Sequence, residues 1–167
     1  MVNIVVQNAG KGDIKDIQKI EKKYYGGYFC PQGVLKNWLK SRNFLIAKRK
    51  NKIITFLFLE TVNQIKALPF IHQLQKKSGK YLYVSEIGIL DRYIKTDAFS
   101  QLFLKMLDRN KGKKGIIWIT GGKSKHDKIE LKLIRRLGFK RLKKINKWEV
   151  CPGYFISDHH LWFKKFE

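Results

Sequence analysis

YLYVSEIGIL at residues 81–90 and GIIWIT at residues 115–120 are two apolar stretches of this sequence, and both are rich in β-branched residues. Such stretches are typical of strands, and the composition of the second predicts burial on both faces. Between them, residues 98–107 carry large apolar side chains at helical spacing, and Thr96 is well placed to cap the helix that they predict. Because a helix joins the two strands, we expect them to lie parallel in one sheet through a right-handed crossover.

The segments on either side predict further strands and helices. The stretch FLIAKRKNKIITFLFLE at residues 44–60 holds two apolar runs around a polar turn, which indicates a β-hairpin. The other predicted elements are a strand at 2–7, helices after Asp13 and Pro31, a helix at 129–137 that Gly138 ends, and strands at 148–150 and 155–166. Residues 61–80 stay ambiguous because Pro69 argues against a long helix. The order β-α-α-β-β-β-α-β-α-β-β predicts one α/β (α+β) domain over residues 1–167, with a mixed central sheet of about seven strands flanked by helices on both faces.

The composition fits a folded protein and argues against two other classes. Apolar residues make up 44% of the 167 residues and aromatic residues 13%, which is too rich for a disordered chain. No run of 18 apolar residues is present, so we expect no transmembrane helix and no membrane partner. The first eight residues do not resemble a signal peptide, and Cys30 and Cys151 stand alone in the sequence. Both features predict a cytoplasmic protein with reduced thiols.

The charge is strongly positive, with 36 Lys and Arg residues against 13 Asp and Glu residues and a net charge of +23. Such a charge attracts polyanions, although a Lys-rich composition without a binding role is an equal alternative. The basic stripe, as we term it, consists of Arg135, Arg136, Lys140, Arg141, Lys143, Lys144 and Lys147. With Trp148 and Tyr154 close by, it predicts an anionic partner such as a nucleic acid, a ribosome or an acidic protein. The alternative is a solvated helix-and-turn face.

Three strings and the order of the elements resemble the GNAT superfamily of acetyl-CoA-dependent N-acyltransferases. The hairpin resembles the second and third strands of that family, with Thr55 where a Gly is common. SEIGIL at 85–90 resembles the fourth strand, and LGFK at 137–140 resembles the helix end that precedes the sixth strand. The resemblance implies that acetyl-CoA or another acyl-CoA binds in the groove between the fourth and fifth strands. There, backbone groups of Ile87 and Ile89 would hold the pantetheine and the thioester.

The sequence departs from the family in the loop that binds the pyrophosphate of CoA. The family pattern is Arg/Gln-x-x-Gly-x-Gly/Ala, whose small residues let backbone N–H groups approach the phosphates at a helix N-terminus. The matching residues here are Ile94, Lys95, Thr96, Asp97, Ala98 and Phe99. We expect Asp97 to add a like charge and Phe99 to remove room, while Lys95 and Thr96 compensate in part. Either acyl-CoA binds in an altered way through this loop, or the site has decayed.

The candidates for catalysis are Glu86 and Tyr83, both on the strand that resembles the fourth strand of the family. The chemistry needs a base that removes a proton from the acceptor amine, and a carboxylate such as Glu86 suits that role. The alternative is an acid paired with a lysine, and Glu60 is the second candidate base. The family's tyrosine proton donor is replaced by Ile134. The tyrosines that could substitute for it are Tyr83, Tyr93 and Tyr154.

These observations support hypotheses from two classes of function. The leading hypothesis is an N-acyltransferase that transfers an acyl group from acyl-CoA to the amine of an unknown acceptor. The alternative is a catalytically silent module of the same fold that binds nucleic acid or a ribosome through its basic surface; a transferase acting on nucleic acid would combine the two. Asp158, His159 and His160 form a polar cluster, but neighbouring strand residues point to opposite faces, so we predict no metal site there.

Overall fold

The helices and strands follow one another in the predicted order. The structure is a computed structural model that describes residues 3–61, 80–121, 123–151 and 154–166 of the chain. Its strands are β1 (Val5–Asn8), β2 (Phe44–Arg49), β3 (Lys52–Thr61), β4 (Tyr81–Ile89), β5 (Gly115–Thr120), β6 (Lys140–Cys151) and β7 (Tyr154–Lys165). Its helices are α1 (Ile14–Tyr24), α2 (Gln32–Trp38), α3 (Ala98–Arg109) and α4 (Lys125–Arg136). Residues 62–79, which make up most of the ambiguous segment, lie outside the described part of the chain. No helix in the described part of the chain has the length and apolarity needed to span a lipid bilayer.

The strands form one seven-stranded mixed sheet in the order β1-β2-β3-β4-β5-β7-β6, flanked by helices. β1 and β2, β2 and β3, β5 and β7, and β6 and β7 pair antiparallel. β4 and β5 pair parallel, with Tyr81–Tyr83 opposite Gly115–Ile117. The predicted fold class and the predicted parallel pairing of the two apolar stretches are therefore confirmed.

The internal contacts of the chain group it into two compact units, and each is described by itself. The first unit holds the described residues up to Leu59 and those from Glu86 to Asn110. The second unit holds the described residues from Glu60 to Ser85 and from Lys111 onward. Strands β3 and β4 each contribute to both units. The assignment of residues 1–167 to a single domain stays a prediction.

The core of the first unit forms where the apolar face of α1 packs on β2 and β3. Ile14, Ile17 and Ile20 are buried at the predicted helical spacing, and they contact a cluster that includes Phe44 and Phe56. Each such side chain stabilises the fold by about 1.5–3 kcal/mol when it leaves water. The predicted amphipathic helix after Asp13 is thus confirmed.

The start of α3 corrects one predicted detail. Asp97, and not Thr96, occupies the N-cap position, one residue later than expected. The Thr96 hydroxyl donates to the Tyr93 carbonyl oxygen at 2.7 Å, which uses it to close the preceding turn. The Asp97 carboxylate makes no capping bond to the helix backbone.

The second unit contains two elements whose bounds differ from the prediction. All of β5 is buried, as predicted. Helix α4 begins at Lys125, four residues before the predicted start, because Ser124 and Asp127 form a reciprocal capping box of hydrogen bonds at 3.0 and 2.9 Å. Gly138 follows the helix with a φ of 75°, which confirms it as the terminating glycine.

Strand β6 is the element whose observed bounds differ most from the prediction. The prediction placed a strand only at 148–150 and considered the preceding basic residues a helix-and-turn face. The structure instead forms one strand from Lys140 to Cys151, paired with β7 along its length and interrupted by register shifts, the first between Arg141 and Lys143. Pairing with an apolar neighbour overrides the weak strand propensity of lysine.

Candidate active site

Five titratable side chains of the first unit group around β4, and we call them the acid cluster. They are Glu21, Tyr25, Tyr28, Cys30 and Glu86. Helix α1 and the turn after it supply the first four, and β4 supplies the fifth. All five are acids, whereas the chain as a whole carries a net charge of +23. The cluster therefore brings several proton-exchanging groups together on one side of β4.

Glu21 is the member that sequence reasoning missed. Its side chain is 0% exposed. Its Oε2 accepts the backbone N–H of Cys30 at 3.0 Å, which ties the turn after α1 back to the helix, and its Oε1 has no hydrogen-bond partner among the described residues. Burial raises its pKa. A signal was present in the sequence, because Glu21 lies four residues after Ile17 on the apolar stripe of the helix.

Glu86 titrates near neutral pH. Burial raises its pKa to about 8, the hydrogen bond from Tyr25 opposes that shift, and the charge of Glu21 adds to it. An ordinary glutamate is fully ionised at pH 7 and is a weak base. A carboxylate whose pKa lies close to the working pH is a much better proton acceptor. Tyr25 and Glu21 are the neighbours that act on the pKa of Glu86, and its role as base stays a prediction beside the alternative of a strand acid paired with a lysine.

Tyr25 links the carboxyl of Glu86 to the backbone of β4. Its hydroxyl donates to the Ile87 carbonyl oxygen at 2.9 Å and also hydrogen-bonds with Glu86. A phenol carries one proton, so it cannot donate to both acceptors at once. When Glu86 is protonated, its O–H can donate to the Tyr25 oxygen while Tyr25 donates to Ile87. When Glu86 is ionised, its carboxylate attracts the Tyr25 proton. Tyr25 then donates to Glu86 instead of to the Ile87 carbonyl oxygen.

Cys30 and Tyr28 complete the acid cluster as neutral groups. Burial raises the pKa of Cys30 to about 12, and the negative charges of Glu86 and Glu21 add to that effect. Burial and the neighbouring Cys30 likewise raise the pKa of Tyr28 to about 12. Cys30 is a free, buried thiol, and at such a pKa it is no nucleophile at pH 7. Tyr28 is 60% exposed and stands at the solvent side of the cluster.

The backbone of β4 is held firmly next to Glu86. The hydroxyl of Thr55 donates to the Gly88 carbonyl oxygen at 2.8 Å, and the backbone N–H of Leu90 donates to the Ile54 carbonyl oxygen at 3.0 Å. The threonine that replaces the family's common glycine therefore has a structural role in this chain. The predicted cofactor contacts Ile87 and Ile89 are both buried, and their roles stay predictions.

Tyr83, the second predicted catalytic residue, is not part of the acid cluster. It lies on the part of β4 that belongs to the second unit, where it pairs with Ile117. Three residues separate it from Glu86, and in a regular strand that spacing places two side chains on opposite faces. Within the first unit, the hydroxyl beside Glu86 is that of Tyr25. Of the alternative donors, Tyr93 is buried, and the side chain of Tyr154 lies outside the described residues.

The predicted pyrophosphate loop, residues 94–99, leads into the N-terminus of α3. Lys95 and Asp97 are exposed, and the Asp97 carboxylate accepts the side-chain amide of Gln101 at 2.8 Å. Ala98 and Phe99 are 0% exposed and belong to the inner face of the helix. The Phe99 side chain packs in the core, and the expectation that it removes room at the loop stays a prediction. Of the two substitutions for glycine, Asp97 alone faces solvent.

A second cation beside this loop was not predicted. The guanidinium of Arg92 lies 5.0 Å from the centre of the Tyr93 ring, directly before the loop, and Arg92 is exposed. Stacking on an aromatic face restricts a guanidinium and keeps its N–H groups available. Arg92 and Lys95 thus flank the start of the loop with two positive charges.

The basic stripe is divided between two elements of the second unit. Arg135 and Arg136 end α4, whereas Lys140, Arg141, Lys143 and Lys144 are exposed on β6, which is the last strand of the sheet. Lys144 forms an ion pair with Asp158 at 3.3 Å. The side chain of Lys147 lies outside the described residues. Lysines on an edge strand also prevent pairing with other chains, so the single polyanion-binding face stays a prediction.

The polar cluster on β7 has ordinary partners. Asp158 accepts Lys123 at 2.9 Å in addition to Lys144, and Arg141 and Lys144 act with burial to lower the pKa of His160. Within the described ranges, no group of three or more His, Cys, Asp or Glu side chains is placed to hold a metal ion.

Comparison with known proteins shows similarity to solved structures but no match in sequence. No family model matches the sequence, and no curated protein matches it. Ard1 from Thermoplasma volcanium is 11% identical, with a TM-score of 0.74 over 99% of both chains. The ribosomal-protein-S18-alanine N-acetyltransferase of Escherichia coli is 10% identical, with a TM-score of 0.69 over 99% of this chain and 95% of its own. Diaminobutyrate acetyltransferase of Paenibacillus lautus, solved with its substrate and coenzyme A, is 8% identical, with a TM-score of 0.71 over 99% of this chain and 96% of its own. Other matching structures contain acetyl-CoA.

Proposed function

The chain has the GNAT fold, and from this premise we propose that it is an N-acyltransferase that uses acetyl-CoA or another acyl-CoA to acylate an amine. The observation that carries the proposal is the place of Glu86, a half-buried carboxyl on β4 that hydrogen-bonds with Tyr25 among four other acids and whose pKa is raised by burial to about 8. Carboxyls with a strongly raised pKa cluster at functional sites, because withdrawing a carboxylate from water costs stability. A base of this strength suits the proton transfer that an acceptor amine requires.

Glu86 and Tyr25 account for the movement of the proton. An aliphatic amine arrives as an ammonium ion, and it must lose a proton before it can attack. The Glu86 carboxylate takes one proton, and the free amine attacks the thioester carbonyl of acyl-CoA. The C–N bond forms, the C–S bond breaks, and the CoA thiolate leaves with a proton from solvent or from the acceptor nitrogen. Protonated Glu86 then donates a hydrogen bond to the Tyr25 oxygen while Tyr25 donates to the Ile87 carbonyl oxygen. Loss of the Glu86 proton to solvent restores the carboxylate for the next turnover.

The first unit offers groups that fit the phosphates of CoA. The N-terminus of α3, a helix of 12 residues, presents backbone N–H groups and a favourable dipole. Arg92 and Lys95 add two positive charges, against the one negative charge of Asp97, which is turned toward Gln101. This arrangement supports the altered mode of binding over the decayed site.

The test of the function has two stages. Calorimetric titration with acetyl-CoA and with CoA measures whether the cofactor binds. Release of free CoA is then measured with two classes of acceptor, alanine-initiated peptides and short diamines, which reflect the substrates named for two of the solved structures. Binding without turnover on either class would leave the transferase proposal without support.

Removing the charge of Asp97 is expected to tighten CoA binding. Asp97→Gly and Asp97→Asn each delete a carboxylate at a helix N-terminus that would face phosphates, an effect of about 0.3–1 kcal/mol, or roughly 2- to 5-fold in Kd. Titration calorimetry measures the change, and Asp16→Asn, an exposed carboxylate on α1, is the matched control. If neither the wild type nor the Asp97 variants produce heat with CoA, the altered-site explanation is wrong.

Glu21→Gln is expected to shift the pH dependence of acyl transfer toward acid. Glutamine keeps an oxygen for the Cys30 N–H but removes the negative charge that raises the pKa of Glu86. The rate rises with pH as Glu86 loses its proton, so a lower pKa moves that rise to lower pH. We expect a roughly 3-fold higher kcat/KM at pH 6.5 relative to the plateau, the effect of about half a pH unit. Glu130→Gln, a buried glutamate that accepts Trp118 in the second unit, should leave the profile in place.

A second candidate function is a silent GNAT-fold module that binds nucleic acid or a ribosome. The observation in its favour is Ile134, which is 0% exposed at the position where the resemblance implies a tyrosine donor. The two functions differ in the first stage of the test, because a silent module with a decayed site gives no heat with acetyl-CoA.

A further inference from the structure

A groove of about 540 Å³ lies in the first unit beside the turn that joins β2 and β3. It is lined by Asn3, Val5, Gln7, Lys48, Arg49, Lys50 and Asn51, and we call it the turn groove. Its size is within the range of ligand-binding clefts. The lining residues include three consecutive cations, Lys48, Arg49 and Lys50, and three side-chain amides. None of these residues has a part in the proposed acyl transfer.

The cations of the turn groove are held in position by their neighbours. Lys48 forms an ion pair with Asp13 at 2.8 Å, and both side chains are largely buried. The guanidinium of Arg49 lies 5.9 Å from the centre of the Tyr93 ring. Lys50 and Asn51 have φ values of 48° and 62°, the left-handed conformation of a tight hairpin turn. Lys48 and Arg49, restricted in this way, lose less side-chain entropy on binding than flexible surface lysines do.

The chemistry of the groove selects phosphate. Asp13 neutralises one cation, which leaves two positive charges on Arg49 and Lys50. A guanidinium donates two parallel hydrogen bonds to a phosphate, a lysine adds a point charge, and amide groups donate to the remaining oxygens. No aromatic ring is among the described residues that line the groove, and these residues offer no platform for stacking bases. We propose that the turn groove binds phosphate groups of a polyanion, independently of the CoA site.

The experiment compares two double variants of equal charge. Arg49→Gln/Lys50→Gln alters the turn groove, and Lys140→Gln/Lys143→Gln removes two exposed cations of the basic stripe on β6. Affinity for a 12-nucleotide single-stranded RNA and for inorganic polyphosphate is measured between 0.05 and 0.5 M KCl. Two lost phosphate contacts should flatten the log–log salt slope by about 1.4 and weaken binding by roughly 25-fold at 0.1 M salt. The β6 variant should change the slope much less.

Two further measurements test whether the effect comes from a loosened fold and whether the groove selects phosphate over carboxylate. Because Arg49 packs on Tyr93, its loss could loosen the fold, so Lys50→Glu, with Lys143→Glu as its control, repeats the comparison at exposed side chains alone. Equal slopes for the groove and β6 variants, or a larger effect of the β6 variant, would overturn the proposal. Binding of poly-glutamate with the same sensitivity to the groove variant would overturn the assignment to phosphate. Binding of RNA without polyphosphate, or of polyphosphate without RNA, identifies the source of the phosphates.

Discussion

Replacing Glu86 with Gln is expected to lower the rate of acyl transfer by about 10²- to 10⁴-fold, the usual contribution of a positioned general base. Glutamine has nearly the same size and still hydrogen-bonds with Tyr25, so the fold around β4 should persist. What is lost is the only feature that the mechanism requires of Glu86, its capacity to take a proton. The loss should appear in kcat, because the ammonium form of the acceptor can still occupy the acid cluster. The Kd for acetyl-CoA, measured by calorimetry, should change by less than about 2-fold.

Glu60→Gln is the matched control, since Glu60 is the other candidate base that the sequence offers. Its carboxylate accepts the Ser85 hydroxyl at 2.5 Å in the second unit, so it already has a hydrogen-bond partner. We expect its rate to stay close to that of the wild type. The reverse pattern, an active Glu86→Gln enzyme and an inactive Glu60→Gln enzyme, would transfer the role of base to Glu60.

The elements that were predicted well from the sequence are those whose residue pattern is determined by burial alone. Helix α1 must bury one stripe, so Ile14, Ile17 and Ile20 recur at the helical period. Strand β5 must be buried on both faces, so nearly all its residues are apolar. The order of these elements was enough to predict one parallel pair in a mixed sheet.

Strand β6 was mispredicted because its conformation depends on pairing with the next strand of the chain, β7, and not on its own sequence pattern. Lys140–Cys151 carries many charges, and its pairing with β7 decides its conformation. A bulge near Leu142 also breaks the alternation that would have marked it as a strand. Local patterns contain neither the partner nor the bulge.

The candidate site was predicted in part, for a similar reason. The sequence alone shows Glu86 as an acid inside an apolar strand. Which side chains surround it depends on how α1 packs against β4. Glu21 and Tyr25 are more than 60 residues away in the chain and look like ordinary helix residues until the helix is docked. The same holds for Phe99, which occupies a glycine position of the family pattern but serves the core. Sequence patterns identify chemical groups, and tertiary packing decides which of them meet.

Gly88→Ala is expected to destabilise the protein by about 3 kcal/mol, at the upper end of the usual cost of overpacking. A Cβ built at Gly88 would lie 2.8 Å from Phe56 Cζ and 2.9 Å from Ile20 Cγ2, and closer still to Phe56 Cε1. Both neighbours are buried in the core of the first unit, so neither ring nor methyl group has free space into which to move. For a chain of this length, the loss corresponds to a Tm lower by roughly 6–12 °C, which calorimetry or circular dichroism measures.

The cause of that loss can be isolated with two further variants. Gly33→Ala lies in α2, where an added Cβ meets nothing within 4 Å, and it should be neutral or stabilise the protein by up to about 1 kcal/mol. Phe56→Leu shortens the side chain that Gly88→Ala strikes, so the double variant should be more stable than the sum of the two single effects predicts, by about 1–3 kcal/mol. Simple additivity would mean that Phe56 is not the obstacle. The remaining obstacle would then be the Ile20 Cγ2 methyl group, 2.9 Å from the added Cβ.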